Sequence, residues 1–141
     1  MAQLKMRQAL NVRRLRLLAA LFSLVAPAAH AADLDGIWAS DKRVCEKVFV
    51  REGQSINFTP TADLHGSGFI IQGAQIRGKT TRCTIKRSKT DGAVVHLLAS
   101  CANDVMMSDT QFSLEIVDKD HISRIYPGIP EMRTEYFRCS F

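Results

Sequence analysis

Four cysteines are the residues of this chain whose chemistry constrains it most. They are separated by 38, 18 and 38 residues, at Cys45, Cys83, Cys101 and Cys139. A structural zinc site is built from closely spaced pairs of ligands, and these cysteines form no such pair. An even number of cysteines in a short exported chain favours disulfides. We therefore expect two disulfide bonds and no thiol left over as a nucleophile.

The local sequence favours one of the three possible pairings. Apolar and polar residues alternate through Cys83, and again through Cys101 after the turn signal at 89–92. An antiparallel hairpin with that turn places both cysteines on one face, opposite or diagonal to each other. The sequence thus predicts a Cys83–Cys101 bond, which leaves Cys45 to pair with Cys139.

Other side chains that commonly do chemistry are scattered. Beyond residue 31, the histidines are His65, His96 and His121, without the spacing that places two metal ligands on one face. The sequence Gly66-Ser67-Gly68 lacks the spacing of a nucleophile elbow and precedes a predicted strand. No glycine-rich stretch leads into a helix that could hold a phosphate. We therefore expect a protein that is not an enzyme and uses no metal or cofactor.

Two predicted connections carry apolar residues that a solvated loop does not need. One is the proline-containing segment 126–132, and the other is the segment 105–109. Apolar side chains that a rigid scaffold holds in loops are candidate contact surfaces. The alternative is that both connections fold back and cover the ends of a barrel. Under the first interpretation, a protein or peptide partner contacts Tyr126, Ile129, Met132, Met106 and Met107.

The first 31 residues have the composition of a cleaved export signal. Basic residues precede the ten-residue apolar run Leu17–Ala26, and Ala29 and Ala31 are the small residues that a signal peptidase requires. A membrane-spanning helix needs about 20 apolar residues, so this run is too short. The arginine pair at 13–14 lacks the flanks of a twin-arginine signal. We predict cleavage after Ala31 and a periplasmic or secreted domain, 32–141, with no membrane span.

Cleavage would also change the net charge. The whole chain has 19 Lys+Arg and 14 Asp+Glu, a formal charge of +5. Five of the 19 basic residues and none of the acidic ones precede residue 32, so 14 of each sign remain. The charge argument for a nucleic-acid partner therefore disappears. A local strip with few aromatic residues remains, which we interpret as a solvated strand face: Lys79, Arg82, Lys86, Arg87 and Lys89.

The rest of the chain has the rhythm of a small β domain. Turn residues recur every 8 to 12 positions or so between short apolar or alternating runs, which is typical of antiparallel barrels and sandwiches. We predict one mainly β domain, a small antiparallel barrel or sandwich of about eight short strands. The predicted strands are 36–39, 55–59, 68–72, 75–78, 80–87, 93–101, 110–117, 121–126 and 134–139.

One segment departs from strand periodicity. After a possible N-cap at 40–41 and before Gly53, apolar residues recur at helical spacing at Val44, Cys45, Val48 and Phe49. This pattern predicts one short N-terminal helix within Lys42–Phe49, with a strand as the alternative.

The stretch Asp35-Gly36-Ile37-Trp38 resembles the opening of lipocalin-type barrels and of small periplasmic inhibitors of metalloproteases. The resemblance implies that Trp38 closes one end of a barrel. The chain departs from the inhibitors in its second disulfide and in the few residues ahead of Trp38, so no inhibitory residue is carried over. It also resembles small exported proteins of Gram-negative bacteria that place a Trp and then a Cys early in the mature domain, which implies a compartment and a shape.

Three functions fit these expectations. The first is a non-enzymatic exported binding module, for example an inhibitor of a secreted or host hydrolase. The second is a lipocalin-like carrier of a small apolar ligand, and the third is an envelope structural or assembly factor. The interior volume discriminates between the first two, because a carrier requires a cavity.

Overall fold

Residues 34–141 are described by the computed structural model; the predicted export signal and its cleavage site lie outside them. The described chain is mainly β, as predicted. Its strands are β1 (Gly36–Ala39), β2 (Phe49–Glu52), β3 (Ser55–Phe58), β4 (Gly68–Gln72), β5 (Gln75–Arg77), β6 (Arg82–Asp91), β7 (Val94–Ala102), β8 (Met107–Asp118), β9 (His121–Ile125) and β10 (Arg133–Cys139). One α-helix, α1 (Cys45–Val48), follows a 3-10 turn at Lys42–Val44, and a second 3-10 turn lies at Ala62–Leu64.

Eight of these strands form a closed antiparallel barrel. Their order is β1-β10-β9-β8-β7-β6-β5-β4, and β4 pairs back with β1. A barrel of about eight strands has an interior just wide enough for side chains or for one small ligand. The fold is thus the barrel of the two predicted alternatives. The remaining strands, β2 and β3, form a separate hairpin.

Buried apolar residues form two clusters because side chains alternate across the barrel wall. The inner cluster fills the barrel with Leu34, Trp38, Ile71, Ile76, Cys83, Val95, Leu97, Ala99, Cys101, Leu114, Ile122 and Tyr136. The outer cluster joins the outward faces of β1, β4 and β10 to α1 and the β2–β3 hairpin through Ala39, Cys45, Val48, Phe49, Ala62, Ile70 and Cys139. The segment between β1 and β4 therefore covers one side of the barrel.

The helix predicted within Lys42–Phe49 is correct in part. Helix α1 ends at Val48, and Phe49 begins β2, where its ring packs 4.9 Å from the ring of Phe58 on β3. Asp41 is the N-cap of the preceding 3-10 turn, Lys42–Val44, and its carboxylate accepts a 2.8 Å hydrogen bond from the backbone N–H of Arg43. The Arg43 guanidinium also hydrogen-bonds this carboxylate and, with the backbone bond, lowers the pKa of Asp41 to about 2.

The two predicted disulfides are confirmed. Strands β6 and β7 place Cys83 directly opposite Cys101, and these residues are bonded. The other bond joins Cys45 to Cys139 across the outer cluster. The strand boundaries of this hairpin were wrong: β6 begins at Arg82 and continues to Asp91, β7 is Val94–Ala102, and the turn consists of residues 92–93. A two-residue hairpin loop favours a positive φ, which Gly92 supplies at 59°.

Trp38 lies at one end of the barrel and is completely buried. Its indole N–H donates a 2.9 Å hydrogen bond to the carbonyl oxygen of Leu34, just before β1. The guanidinium carbon of Arg138 lies 4.3 Å from the centre of the indole ring. Arg138 also donates to the carbonyl oxygens of Asp35 and, at 2.8 Å, of Lys119 in the β8–β9 turn. These contacts tie β1, β10 and that turn together, and we call this the closed end.

Gly68 is required where the two clusters meet. A Cβ atom there would lie 2.7 Å from Cζ of Phe49 and 2.8 Å from the carbonyl oxygen of Trp38. We expect Gly68→Ala to lower the free energy of unfolding by about 1–3 kcal/mol, because the wall or the Phe49 ring must shift. Urea denaturation measures this change.

The matched control is Gly78→Ala. A Cβ at Gly78 meets only ordinary contacts, the nearest at 3.6 Å from the carbonyl oxygen of Thr81. Its stability should stay within about 0.5 kcal/mol of the wild-type value. Equal losses in the two variants would mean that the close approach at Gly68 is not what matters.

Candidate functional site

The end of the barrel opposite the closed end is formed by a different set of connections between strands. Consecutive antiparallel strands reverse direction, so the turns after β4, β6 and β8 lie at the closed end. The connections after β1, β5, β7 and β9 lie at the opposite end, which we call the open end. Of these four connections, residues 40–67 cover one side of the barrel, and the other three are residues 78–81, 103–106 and 126–132.

A pocket of about 240 Å³ enters the barrel interior and is bordered at the open end by Gly78 and Thr81. Its apolar wall consists of Phe69, Ile71, Ile76, Phe112 and Leu114. The least exposed of these residues are Ile71, at 1%, and Leu114, at 2%, and both belong to the inner cluster. The barrel interior is therefore packed toward the closed end and hollow toward the open end.

The sequence places apolar residues on this wall by simple alternation. Phe69 and Ile71 are two residues apart on β4, and so are Phe112 and Leu114 on β8, so each pair faces the interior. The Phe69 ring meets the Tyr136 ring edge-to-face at 4.8 Å. Aromatic and branched side chains on short strands thus line the pocket without filling it.

Arg124 is the only charged side chain that lines this pocket. It lies on β9, between Leu114 on β8 and Thr134 on β10. Its guanidinium carbon is 4.8 Å from the centre of the Phe112 ring and 5.0 Å from that of the Tyr126 ring. Residue spacing alone did not mark Arg124 as a site residue, although a strand with Ile122 facing inward also turns residue 124 inward.

The guanidinium of Arg124 has no anionic partner within residues 34–141. None of the ion pairs or side-chain hydrogen bonds of that part of the chain includes it. No side-chain nitrogen or oxygen there is both buried and without a hydrogen-bond partner, so the guanidinium nitrogens reach open space. An aromatic pair therefore holds a cation at the pocket without neutralising it.

The predicted contact residues lie at the open end with different exposures. Tyr126 is half-buried beneath Arg124, so it supports the pocket wall. The other four side chains are about half-exposed or more: Met106 at 59%, Met107 at 78%, Ile129 at 50% and Met132 at 49%. Val105, which was not among the predicted contact residues, is 91% exposed. Residues 107–109 were expected in a connection but begin β8.

Two histidines have structural hydrogen bonds on the outer face. His121 Nε2 lies 2.6 Å from one oxygen of Glu135, whose other oxygen accepts a 2.9 Å bond from the Ser123 hydroxyl. Here the carboxylate lies between serine and histidine, which is not the order that activates a nucleophile. His96 Nδ1 contacts the Ser113 hydroxyl at 2.9 Å, but Ser113 is only 1% exposed. Substrate has no access to that hydroxyl.

Other predicted features can be located as well. In residues 34–141, no group of three or more His, Cys, Asp or Glu side chains is placed to hold a metal ion. No helix in that part of the chain is long and apolar enough to cross a membrane. In the basic strip, Lys79 forms an ion pair with Asp63 at 2.5 Å, while Lys86, Arg87 and Lys89 are exposed on β6.

Comparisons with protein-family models, with curated proteins and with solved structures find no match to this chain.

Proposed function

We propose that this protein is a non-enzymatic, exported barrel that binds a small apolar molecule in the open-end pocket. The observation that carries the proposal is the pocket at the open end of the interior, about 240 Å³ with an apolar wall. Ligand sites are concave and mostly apolar, with a few polar groups that orient the ligand. A core packed only for stability would fill such a space, because each void costs contacts.

The volume indicates the size of the ligand. A water molecule takes up about 30 Å³ in the liquid, so 240 Å³ holds about eight groups of that size. This is slightly smaller than the pockets of drug-sized ligands, which begin at about 300 Å³. A chain of about eight carbons is therefore a suitable probe. The two disulfides support an exported location, because such bonds persist in oxidising compartments.

The test uses 1-octanol and a variant with a narrowed pocket. Gly78 lines the pocket and has room for a Cβ, so Gly78→Leu adds apolar volume there. Isothermal titration calorimetry should detect saturable binding of one octanol to the wild type and binding at least about tenfold weaker to Gly78→Leu. The control, Met106→Ala with Met132→Ala, alters exposed residues outside the pocket and should bind octanol normally. Absence of saturable binding to the wild type would refute the proposal.

A second candidate function is docking of a protein partner on the rim of the open end. Exposed apolar residues there support it, namely Val105, Met106, Met107, Ile129 and Met132. If the partner is a secreted hydrolase, the double variant Met106→Ala with Met132→Ala should inhibit the hydrolase less than the wild type does. Gly78→Leu should inhibit the hydrolase as strongly as the wild type does. The same pair of variants thus separates the two functions.

A further inference from the structure

Arg124 gives the pocket a charge that the apolar wall does not require. Arg124 is half-buried, and a cation that loses part of its hydration to an apolar wall is destabilised unless an anion or a polar group compensates it. The aromatic rings of Phe112 and Tyr126 compensate in part, and no carboxylate of residues 34–141 does so. By contrast, the nearby Arg133 on the outer face is paired with Glu115 at 2.6 Å.

Tyr136 is a second polar group of the pocket. Its side chain lines the cavity and is 7% exposed, and its hydroxyl makes no hydrogen bond within residues 34–141. The hydroxyl is not a buried unpaired atom, so it reaches open space. A guanidinium and a phenol are both donors, and both suit an oxyanion.

We propose that the ligand is an apolar molecule with an anionic head, of the class of medium-chain monocarboxylates, and that Arg124 binds the head while the apolar wall holds the chain. This inference rests on the proposed function, since it names the ligand class of the same pocket. Arginine presents its donors in a planar fork that matches a carboxylate, and stacking on aromatic rings fixes the plane of that fork.

The experiment compares three probes of equal chain length: octanoate, 1-octanol and octylammonium. At pH 7 they carry a negative, a zero and a positive charge. Calorimetric titration of the wild type should give octanoate at least about tenfold tighter binding than octanol, because hydrogen bonds to charged groups contribute more than neutral ones. Octylammonium should bind more weakly than octanol, since the guanidinium repels it.

Variants at Arg124 test whether its guanidinium causes the preference for octanoate over octanol. Arg124→Met keeps the length and packing of the side chain without its charge, and it should bind octanoate no better than octanol. Arg124→Lys keeps the charge without the fork and should retain part of the preference. The quantity compared in each variant is the ratio of its octanoate affinity to its octanol affinity, so that a change in binding of the apolar chain cancels.

A second variant leaves Arg124 in place. Thr134 lies directly opposite Arg124 on the neighbouring strand, so both side chains face the same side of the sheet. Thr134→Glu supplies a competing carboxylate and should weaken octanoate binding at least about tenfold, with little change for octanol.

Two results would overturn the inference in different ways. Equal binding of octanoate and octanol by the wild type, or an acid preference that persists in Arg124→Met, would refute the anionic head and leave the apolar pocket standing. Absence of saturable octanol binding by the wild type would refute the proposed function and the inference with it.

Discussion

Replacement of Cys45 and Cys139 together by alanine is expected to lower the free energy of unfolding by about 5 kcal/mol. The bond closes a loop of 94 residues, which is most of the described chain. In the chain-entropy account, a cross-link stabilises by restricting the unfolded chain, and the effect grows with the logarithm of the loop length. Both side chains are buried in the outer cluster, and alanine introduces no polar group there. Urea denaturation at neutral pH measures the loss.

The matched variant replaces Cys83 and Cys101 by alanine. These cysteines are equally buried, but their bond spans 18 residues. The same account gives a loss of about 3 kcal/mol, so the long-loop variant should be the less stable of the two by about 2 kcal/mol. The reverse order would show that local packing at each bond, rather than restriction of the unfolded chain, determines the stability.

The second large effect is expected at the closed end. Trp38→Ala should lower the free energy of unfolding by about 3–5 kcal/mol, because it empties a completely buried site. It also removes the hydrogen bond to the Leu34 carbonyl and the ring beneath the Arg138 guanidinium. The chain has one tryptophan, so far-ultraviolet circular dichroism has to replace intrinsic fluorescence as the measure of unfolding.

Trp38→Phe is the control for this prediction. It keeps an aromatic ring beneath Arg138 but removes the N–H donor, so the Leu34 carbonyl loses its partner. The expected loss is about 1–2 kcal/mol, within the usual range for one hydrogen bond. If Trp38→Phe and Trp38→Ala lower the free energy of unfolding by the same amount, the hydrogen bond rather than the burial of the ring would account for the role of Trp38.

Strand content was predictable because alternation is a local signal. In β7, four inward residues at 95, 97, 99 and 101 are buried, and the pattern of the sequence already separates them from their neighbours. The Cys83–Cys101 pairing followed from the same alternation and one turn. Strand ends were less predictable: residues 89–91 and 107–109 have turn-like or polar sequences, yet pairing with β7 extends β6 and β8 through them.

The strand β2 shows why short elements are missed. It has four residues, begins immediately after α1, and exists because Phe49 pairs with Phe58 on β3. Four residues carry too little periodicity to distinguish a strand from the end of a helix. The contact that decides between them lies nine residues away in the sequence, beyond the reach of a local pattern.

The sequence by itself determined the mainly β class, the disulfide pairing and the apolar character of two open-end connections, because each depends on residue type and local spacing. Only the tertiary structure decided that the sheet closes into a barrel, and that its interior is packed around Trp38 and hollow beneath Arg124. A cavity is a difference between the volume that a wall encloses and the volume of the side chains within it. Strands far apart in the chain enclose that volume together, so no local pattern contains it.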